Sequence, residues 1–239
     1  MTSSDRYALI TGASSGIGKA TALAFAKSGF NLVLSGRSHS RLAAVIDEVS
    51  QIGTIAKPLV LDLSDVKQVQ VSIQQAIDGL PISVLVNNAG MGYTGELAST
   101  PLVEWQRVMD LNLTSVLQCI QAVLPGMRDR QQGTIINVAS IAAHNAFAGW
   151  GAYSVSKAGL VSLSKILAAE ERTHGIRVTV VTPGSVNTPI WDTDTVHADF
   201  DRTRMLTPEI VAQSILHTAL LPPQAVIDEL IVMPSAGAL

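Results

Sequence analysis

The chain has 239 residues, 47% of them hydrophobic, 15% charged and only 4% aromatic, with a net charge of −3. This length and apolar content suit one large packed domain and exclude disordered, collagen-like and low-complexity classes. The near-balanced charge has no basic stripe and excludes a nucleic-acid footprint.

In chain order, short β-branched apolar runs occur at 7–11, 31–35, 57–63, 83–88, 134–140, 177–182 and 229–233. They read as strands buried on both faces. Longer stretches with helical spacing lie between them, among them 18–29, 40–53 and 100–127. The last of these predicts a helix with Thr100 as its N-cap and Pro101 at its first position. Its apolar residues occupy more than one face, which predicts cover on both sides. Seven strands separated by helices predict an α/β fold: a doubly wound sheet of seven parallel strands with helices on both faces, in one domain over 1–239. Residues 183–208 break the alternation. They are polar and Asp-rich and exceed a simple turn, which predicts a lid near 185–207.

The first strand runs into Gly12-Ala13-Ser14-Ser15-Gly16-Ile17-Gly18 and then a helix. Gly12 permits a tight turn, Gly16 lets backbone approach a pyrophosphate, and Gly18 lets helix pack on strand. The spacing departs from G-x-G-x-x-G, and a bland strand–helix connection is the plain alternative. A site for NAD places an acid about 20 residues after the glycines. Here the second strand ends in Gly36-Arg37, and no acid occurs before Asp47. A guanidinium there pairs with a 2′-phosphate, which points to NADP(H). Arg37 as an ordinary solvated charge is the other reading.

From these glycines onward the chain resembles the short-chain dehydrogenase/reductase family. The residues carrying the resemblance are TGASSGIG (11–18), Asp62-Leu63, NNAG (87–90), Asn112, Ser140, Tyr153-x3-Lys157, Pro183-Gly184 and Thr188. They follow the family's order over nearly the whole chain. The ending AVIDELIVMPSAGAL departs from the usual tail of 3-oxoacyl-carrier-protein reductases. It is more similar to the shorter-tailed members that resemble serine 3-dehydrogenase or sepiapterin reductase.

The resemblance implies a Rossmann-type fold and an NADP-dependent carbonyl reductase or alcohol dehydrogenase. It makes Tyr153 the general acid/base, with Lys157 lowering its pKa and holding the nicotinamide ribose. Ser140 would hydrogen-bond the substrate oxygen, and Asn112 would hold a relay water at an irregularity of its helix. On the residues alone, Tyr153 and Lys157 share a helix face, and a nearby ammonium favours phenolate. Read without the family, Ser140 could be an N-cap, Asn112 a solvent-facing amide and Asp62 a cap of the next helix. The implied cofactor contacts are Gly12, Ser14, Ser15, Gly16, Ile17 and Gly18 at the phosphates and Arg37 at the 2′-phosphate. Asp62 and Leu63 would meet the adenine and Asn88, Ala89 and Gly90 the ribose, beside Tyr153 and Lys157. Pro183, Gly184, Val186 and Thr188 would meet the carboxamide.

Met91, Ala142, Phe147, Trp150 and Trp191 join Ser140 and Tyr153 as candidate substrate contacts in a largely apolar pocket. His144 reads as a bystander, and Cys119 as a small buried hydrophobe. No His or acid spacing suggests a metal. No apolar run reaches the ~18 residues of a membrane span, and the start lacks a signal-peptide pattern, so a cytoplasmic protein without membrane partners is expected. The expected partner is a small carbonyl or alcohol. Residues 101–127 and 151–174 carry surplus apolar surface, which with the family's habit predicts a homodimer or homotetramer. The competing readings are a 3-oxoacyl thioester reductase, an NAD-dependent dehydrogenase and a non-catalytic dinucleotide sensor. A sensor has no need to keep Ser140, Tyr153 and Lys157 together.

Overall fold

All seven apolar runs fold as strands, and all pair in parallel: β1 (Tyr7–Thr11), β2 (Asn31–Gly36), β3 (Ala56–Val60), β4 (Ile82–Asn87), β5 (Gly133–Val138), β6 (Ile176–Pro183) and β7 (Glu229–Val232). The computed structural model describes residues 6–237. The first five residues, where the absence of a leader was read, and the last two of the tail lie outside them. The strand order is β3-β2-β1-β4-β5-β6-β7. It reverses direction between β1 and β4, so a crevice opens beyond the carboxyl ends of those two strands.

Successive side chains along a strand point to opposite faces, and the core divides accordingly. Ala8, Ile10, Leu32, Leu34, Val84 and Val86 join one buried cluster with α1 (Gly16–Lys27), α2 (His39–Ile52) and α7 (Pro208–Leu220). Leu9, Val33, Leu85, Ile135 and Val178 join another with α3 (Val69–Ala76), α5 (Ser115–Asp129) and α6 (Gly151–Glu171). Both sheet faces are thus covered, as the apolar runs required.

Four details differ from expectation. The run 57–63 leaves the sheet after Val60, because Asp62 turns the chain: its Oδ1 accepts from the Ser64 N–H at 2.9 Å and from the Ser64 hydroxyl at 2.7 Å. The stretch 134–140 ends as a strand at Val138. Thr100 does not N-cap α4 (Leu102–Met109) but closes the preceding 3₁₀ turn Leu97–Ser99 as its C-cap; its hydroxyl donates to the Glu96 carbonyl at 2.8 Å, and Pro101 is the N-cap of α4. The long helix expected over 100–127 is α4 and α5 joined through a π turn, Asp110–Thr114.

Buried polar side chains tie the sheet to α6. Asn87 donates to Asn137 Oδ1 at 2.9 Å, Asn137 donates to the Ser164 hydroxyl at 2.8 Å, and Ser164 returns its proton to the Leu160 carbonyl at 2.7 Å. Buried hydrogen bonds of this kind fix the rotation of a helix against its sheet. Here the helix fixed is the one that carries Tyr153 and Lys157.

Candidate active site

At the crevice, the Thr11 hydroxyl accepts from the backbone N–H of Asn88 at 3.0 Å and of Ala89 at 3.1 Å. The Asn88 amide donates to the Thr11 carbonyl at 3.0 Å and the Gly12 carbonyl at 3.3 Å. These bonds hold the turn after β1 against the turn after β4. The contact is too close for side chains. Gly12 has φ +66°, and a Cβ there would lie 2.9 Å from the Ala89 Cα; a Cβ on Gly18 would lie 2.1 Å from the Gly12 carbonyl oxygen. Helix α1 then begins with no acidic residue in its first turn and no side-chain cap on Ser15. Its first N–H groups and its positive end are therefore presented to the crevice.

A cavity of about 760 Å³ extends from this turn along the ends of the central strands. It gathers almost every predicted site residue. Ser14, Ser15, Gly16 and Ile17 line one flank with Gly12, and Asn88, Ala89 and Gly90 the floor. Arg37, Asp62 and Leu63 line one end; Ser140, Tyr153 and Lys157 line the other, beside Met91, Ala142, Phe147, Trp150 and Trp191. Pro183, Gly184, Val186 and Thr188 close the side nearest α1. Two predicted residues lie outside the lining. Gly18 acts through its missing side chain. Asn112 sits behind the wall.

Asn112 is fully buried in the π turn. Its Oδ1 accepts from the Met91 N–H at 2.9 Å, and its amide donates to the Met91 carbonyl at 3.0 Å and the Ser156 hydroxyl at 3.0 Å. Both side-chain amide N–H bonds are used within the protein, and the side chain positions Met91 under the cavity.

Lys157 is 5% exposed, and its ammonium donates to the Val138 carbonyl at 2.9 Å. Burial lowers its pKa to about 8. Its nitrogen stands 5.9 Å from the Tyr153 ring centre. The expectation that this ammonium depresses the tyrosine is not met in the free protein. Burial raises the Tyr153 phenol above its usual value, and the one opposing contact is a hydrogen bond with the Ser140 side chain. Desolvation outweighs it, so the phenol is neutral near pH 7. Ser140 is also an N-cap, accepting from the Ala142 N–H at 3.2 Å. The two readings of that serine coexist.

At the far end, burial pushes the Asp62 carboxyl up. The Ser64 N–H and hydroxyl, with the charges of Arg37 and Arg107, more than offset this and hold it below its ordinary value. Among the described residues neither Arg37 nor Arg41 joins an ion pair. The donor set therefore suits a pyrophosphate on α1 and a further phosphate at Arg37.

Residues 183–208 are ordered into two short 3₁₀ turns, Pro189–Asp192 and Arg202–Arg204. Their base is pinched where Asn187 N–H donates to the Leu206 carbonyl and Leu206 N–H to the Ser185 carbonyl, both at 2.9 Å. The tip is tied to the 92–94 segment: Thr195 donates to the Gly92 carbonyl at 2.8 Å, and the Thr94 N–H donates to the Thr195 carbonyl at 2.8 Å.

The short chain dehydrogenase family model matches residues 6–198. The chain belongs to that family. It is an oxidoreductase of a family that binds nicotinamide dinucleotides. Among relatives, this short chain dehydrogenase is 37% identical over 229 residues to 3-oxoacyl-[acyl-carrier-protein] reductase of Synechocystis, covering 93% of this chain and 92% of that one. It is 32% identical over 238 residues to glycine betaine reductase ATRR of Emericella nidulans, where 97% of this chain spans 19% of the relative's length. Among solved structures, a metagenomic short-chain oxidoreductase in complex with NADP superposes with a TM-score of 0.86 at 31% identity, covering 98% of this chain and 99% of that one. The closed form of serine dehydrogenase complexed with NADP+ gives 0.83 at 27%, covering 98% and 96%.

In this short chain dehydrogenase several lining residues escaped the sequence reading. Arg41 and Arg107 join Arg37, and Phe200, Asp192 and Asp194 reach the cavity from the lid. Arg41 was detectable as a second arginine close after Arg37, in the first turn of α2. The lid residues carried no signal, because their placement depends on the pinched base. His144 lies outside the lining; its Nε2 meets Glu229 Oε1 at 2.6 Å, and Thr182 donates to the same oxygen at 2.8 Å. Cys119 is 1% exposed, and burial pushes its thiol up to about 12. Among the described residues no group of three or more His, Cys, Asp and Glu side chains could hold a metal, and no helix is long and apolar enough to cross a membrane.

Proposed function

We propose that the protein is an NADP-dependent carbonyl reductase and, in reverse, an alcohol dehydrogenase. The observation that carries this is a single cavity with Ser140, Tyr153 and Lys157 at one end and, at the other, Arg37, which joins no ion pair among the described residues. Arg37 would hold the 2′-phosphate, Ser14 to Gly16 and the α1 terminus the pyrophosphate, and Asp62 and Leu63 the adenine. Asn88 to Gly90 and Lys157 would hold the ribose, and Val186 and Thr188 the carboxamide. The bound cofactor supplies the hydride. The neutral Tyr153 phenol donates its proton to the carbonyl oxygen, and Ser140 holds that oxygen by a hydrogen bond. Lys157 keeps a positive charge close by, which favours the phenolate left behind. Residues 185–207 act as the lid that excludes water during transfer. The protein works in the cytoplasm as a homodimer or homotetramer.

The test is loss of reduced-nicotinamide absorbance with NADPH and with NADH over a carbonyl panel. Turnover with NADPH well above NADH is expected; no turnover of any carbonyl contradicts the assignment. Arg37→Ala should weaken NADPH binding by about 10- to 100-fold, the range for a lost charge-assisted contact, and leave NADH binding unchanged. Equal losses would remove the 2′-phosphate assignment. The 37%-identical 3-oxoacyl-[acyl-carrier-protein] reductase supports a second reading, a 3-oxoacyl thioester reductase. A 3-oxoacyl thioester outpacing simple ketones in the same panel would favour it.

A further inference from the structure

The chain holds only three Trp, three Tyr and four Phe. Five of these line the one cavity: Phe147, Trp150, Tyr153, Trp191 and Phe200. Four of the five form a continuous edge-to-face series. Tyr153 meets Trp150 at 5.5 Å and 67°, Trp150 meets Trp191 at 5.8 Å and 69°, and Trp191 meets Phe200 at 5.4 Å and 84°. The series is held in place, since the Trp191 indole N–H donates to the Val186 carbonyl at 2.7 Å. It begins at the proton donor and runs out beneath the lid. A substrate with its carbonyl at Tyr153 therefore lays its next atoms along Trp150 and Trp191.

Charge is segregated along the same cavity. The lining cations are Arg37, Arg41, Arg107 and Lys157. Arg37 and Arg107 both act on the Asp62 carboxylate, so they belong to the end away from the aromatic series, and Arg41 lies in the first turn of α2, which begins just after Arg37. Lys157 is bonded to the Val138 carbonyl. At the aromatic end, beyond Lys157 itself, the charged lining residues are Asp192 and Asp194. Arg202 pairs with Asp192 at 2.9 Å, while Asp194 joins no ion pair among the described residues. A carboxylate or phosphate on the substrate's outer arm would meet like charge at Asp194, an exposed acid, and an Arg202 already engaged by Asp192.

We propose that the substrate is an uncharged carbonyl compound, or the matching alcohol, bearing an aromatic ring on the arm that leads away from the reacting carbon. This rests on the carbonyl reductase reading and narrows it. Edge-to-face ring pairs contribute beyond the area they bury, so the ring itself is selected over a saturated ring of similar size.

The test is calorimetric binding to the protein saturated with NADP+, using four alcohols: 1-phenylethanol, 1-cyclohexylethanol, 4-(1-hydroxyethyl)benzoate and the 4-trimethylammonium analogue of 1-phenylethanol. The phenyl compound should bind about fivefold tighter than the cyclohexyl one, a preference of the size that ring pairs supply. It should bind about tenfold tighter than the benzoate, as like-charge juxtaposition requires. Trp191→Leu should bring the phenyl-to-cyclohexyl ratio close to one, and Phe200→Leu should lower it in part. Equal or tighter binding of the cyclohexyl compound or the benzoate overturns the proposal. So does a cationic analogue outranking the neutral compound, or no detectable binding by any of the four. Loss of the reductase reading would look different: the phenyl preference would be present, with no turnover of any carbonyl with NADPH.

Discussion

A neutral Tyr153 and a charged Lys157 divide the work at the residue scale. Because burial holds the phenol above its usual value, the free protein is poised to give a proton, the direction that carbonyl reduction needs. Tyr153→Phe removes that proton and leaves the rest of the cavity lining in place. Turnover is expected to fall about a thousandfold, the usual worth of a positioned general acid, while NADPH binding by calorimetry stays within a factor of a few. Lys157 sets the pH range. Its pKa is lowered to about 8, so its ammonium is present below that pH and lost as the pH rises through it. The value of kcat/KM for reduction, which reports groups of the free enzyme, should therefore decline above about pH 8. A profile level to pH 10 would show that the Lys157 charge is not required. Most of these residues were legible in the sequence, because glycine spacing, an i, i+4 Tyr–Lys pair and a strand-end serine each carry a local physical meaning. The direction of the Tyr153 shift was not legible. It depends on how much water the surrounding chain removes, which is a property of the packed site.

At the scale of elements, the strands were readable because the central ones are buried on both sheet faces and are apolar throughout, whereas their order in the sheet is set by long-range pairing. The π turn at Asp110–Thr114 was legible only as an irregularity, since its cause is tertiary: Asn112 must reach both Met91 and Ser156. The lid was predicted as a loop of functional length, but its folded path was not. A pinched base and ties to residues 92–94 are long-range contacts that local spacing does not encode. The closest junction between elements is the turn from β1 into α1. Gly18→Ala would place a Cβ 2.1 Å from the Gly12 carbonyl and 2.6 Å from the Asn88 amide nitrogen. Both groups belong to backbone or to the bonds that hold the crevice, so the strain has no soft outlet. The expected result is a Tm lower by several degrees, as core overpacking of about 1–3 kcal/mol produces, together with weakened NADPH binding. Unchanged melting and binding would show that the turn can open.

For the whole molecule, several exposed apolar side chains lie on α4 and α6. Leu102 is 78% exposed and Val103 71%, on α4; Val155 and Ile166 are about half exposed on α6. Val155 and Ile166 are eleven residues apart, three helical turns, and so share one face. Sedimentation at micromolar concentration should give a dimer or larger assembly, and Ile166→Glu should move it toward monomer by burying an unpaired charge in the contact. A wild-type monomer would refute the assembly. Burial on the scale of the entire fold also decides the fate of Cys119. Its thiol, pushed up to about 12 and closed off by the helices around it, supplies almost no thiolate at neutral pH. The native chain is therefore expected to react slowly with maleimides. A cysteine introduced at exposed His197 in the lid would be the single reactive thiol, so one dye or spin label could be attached there without first engineering any residue away.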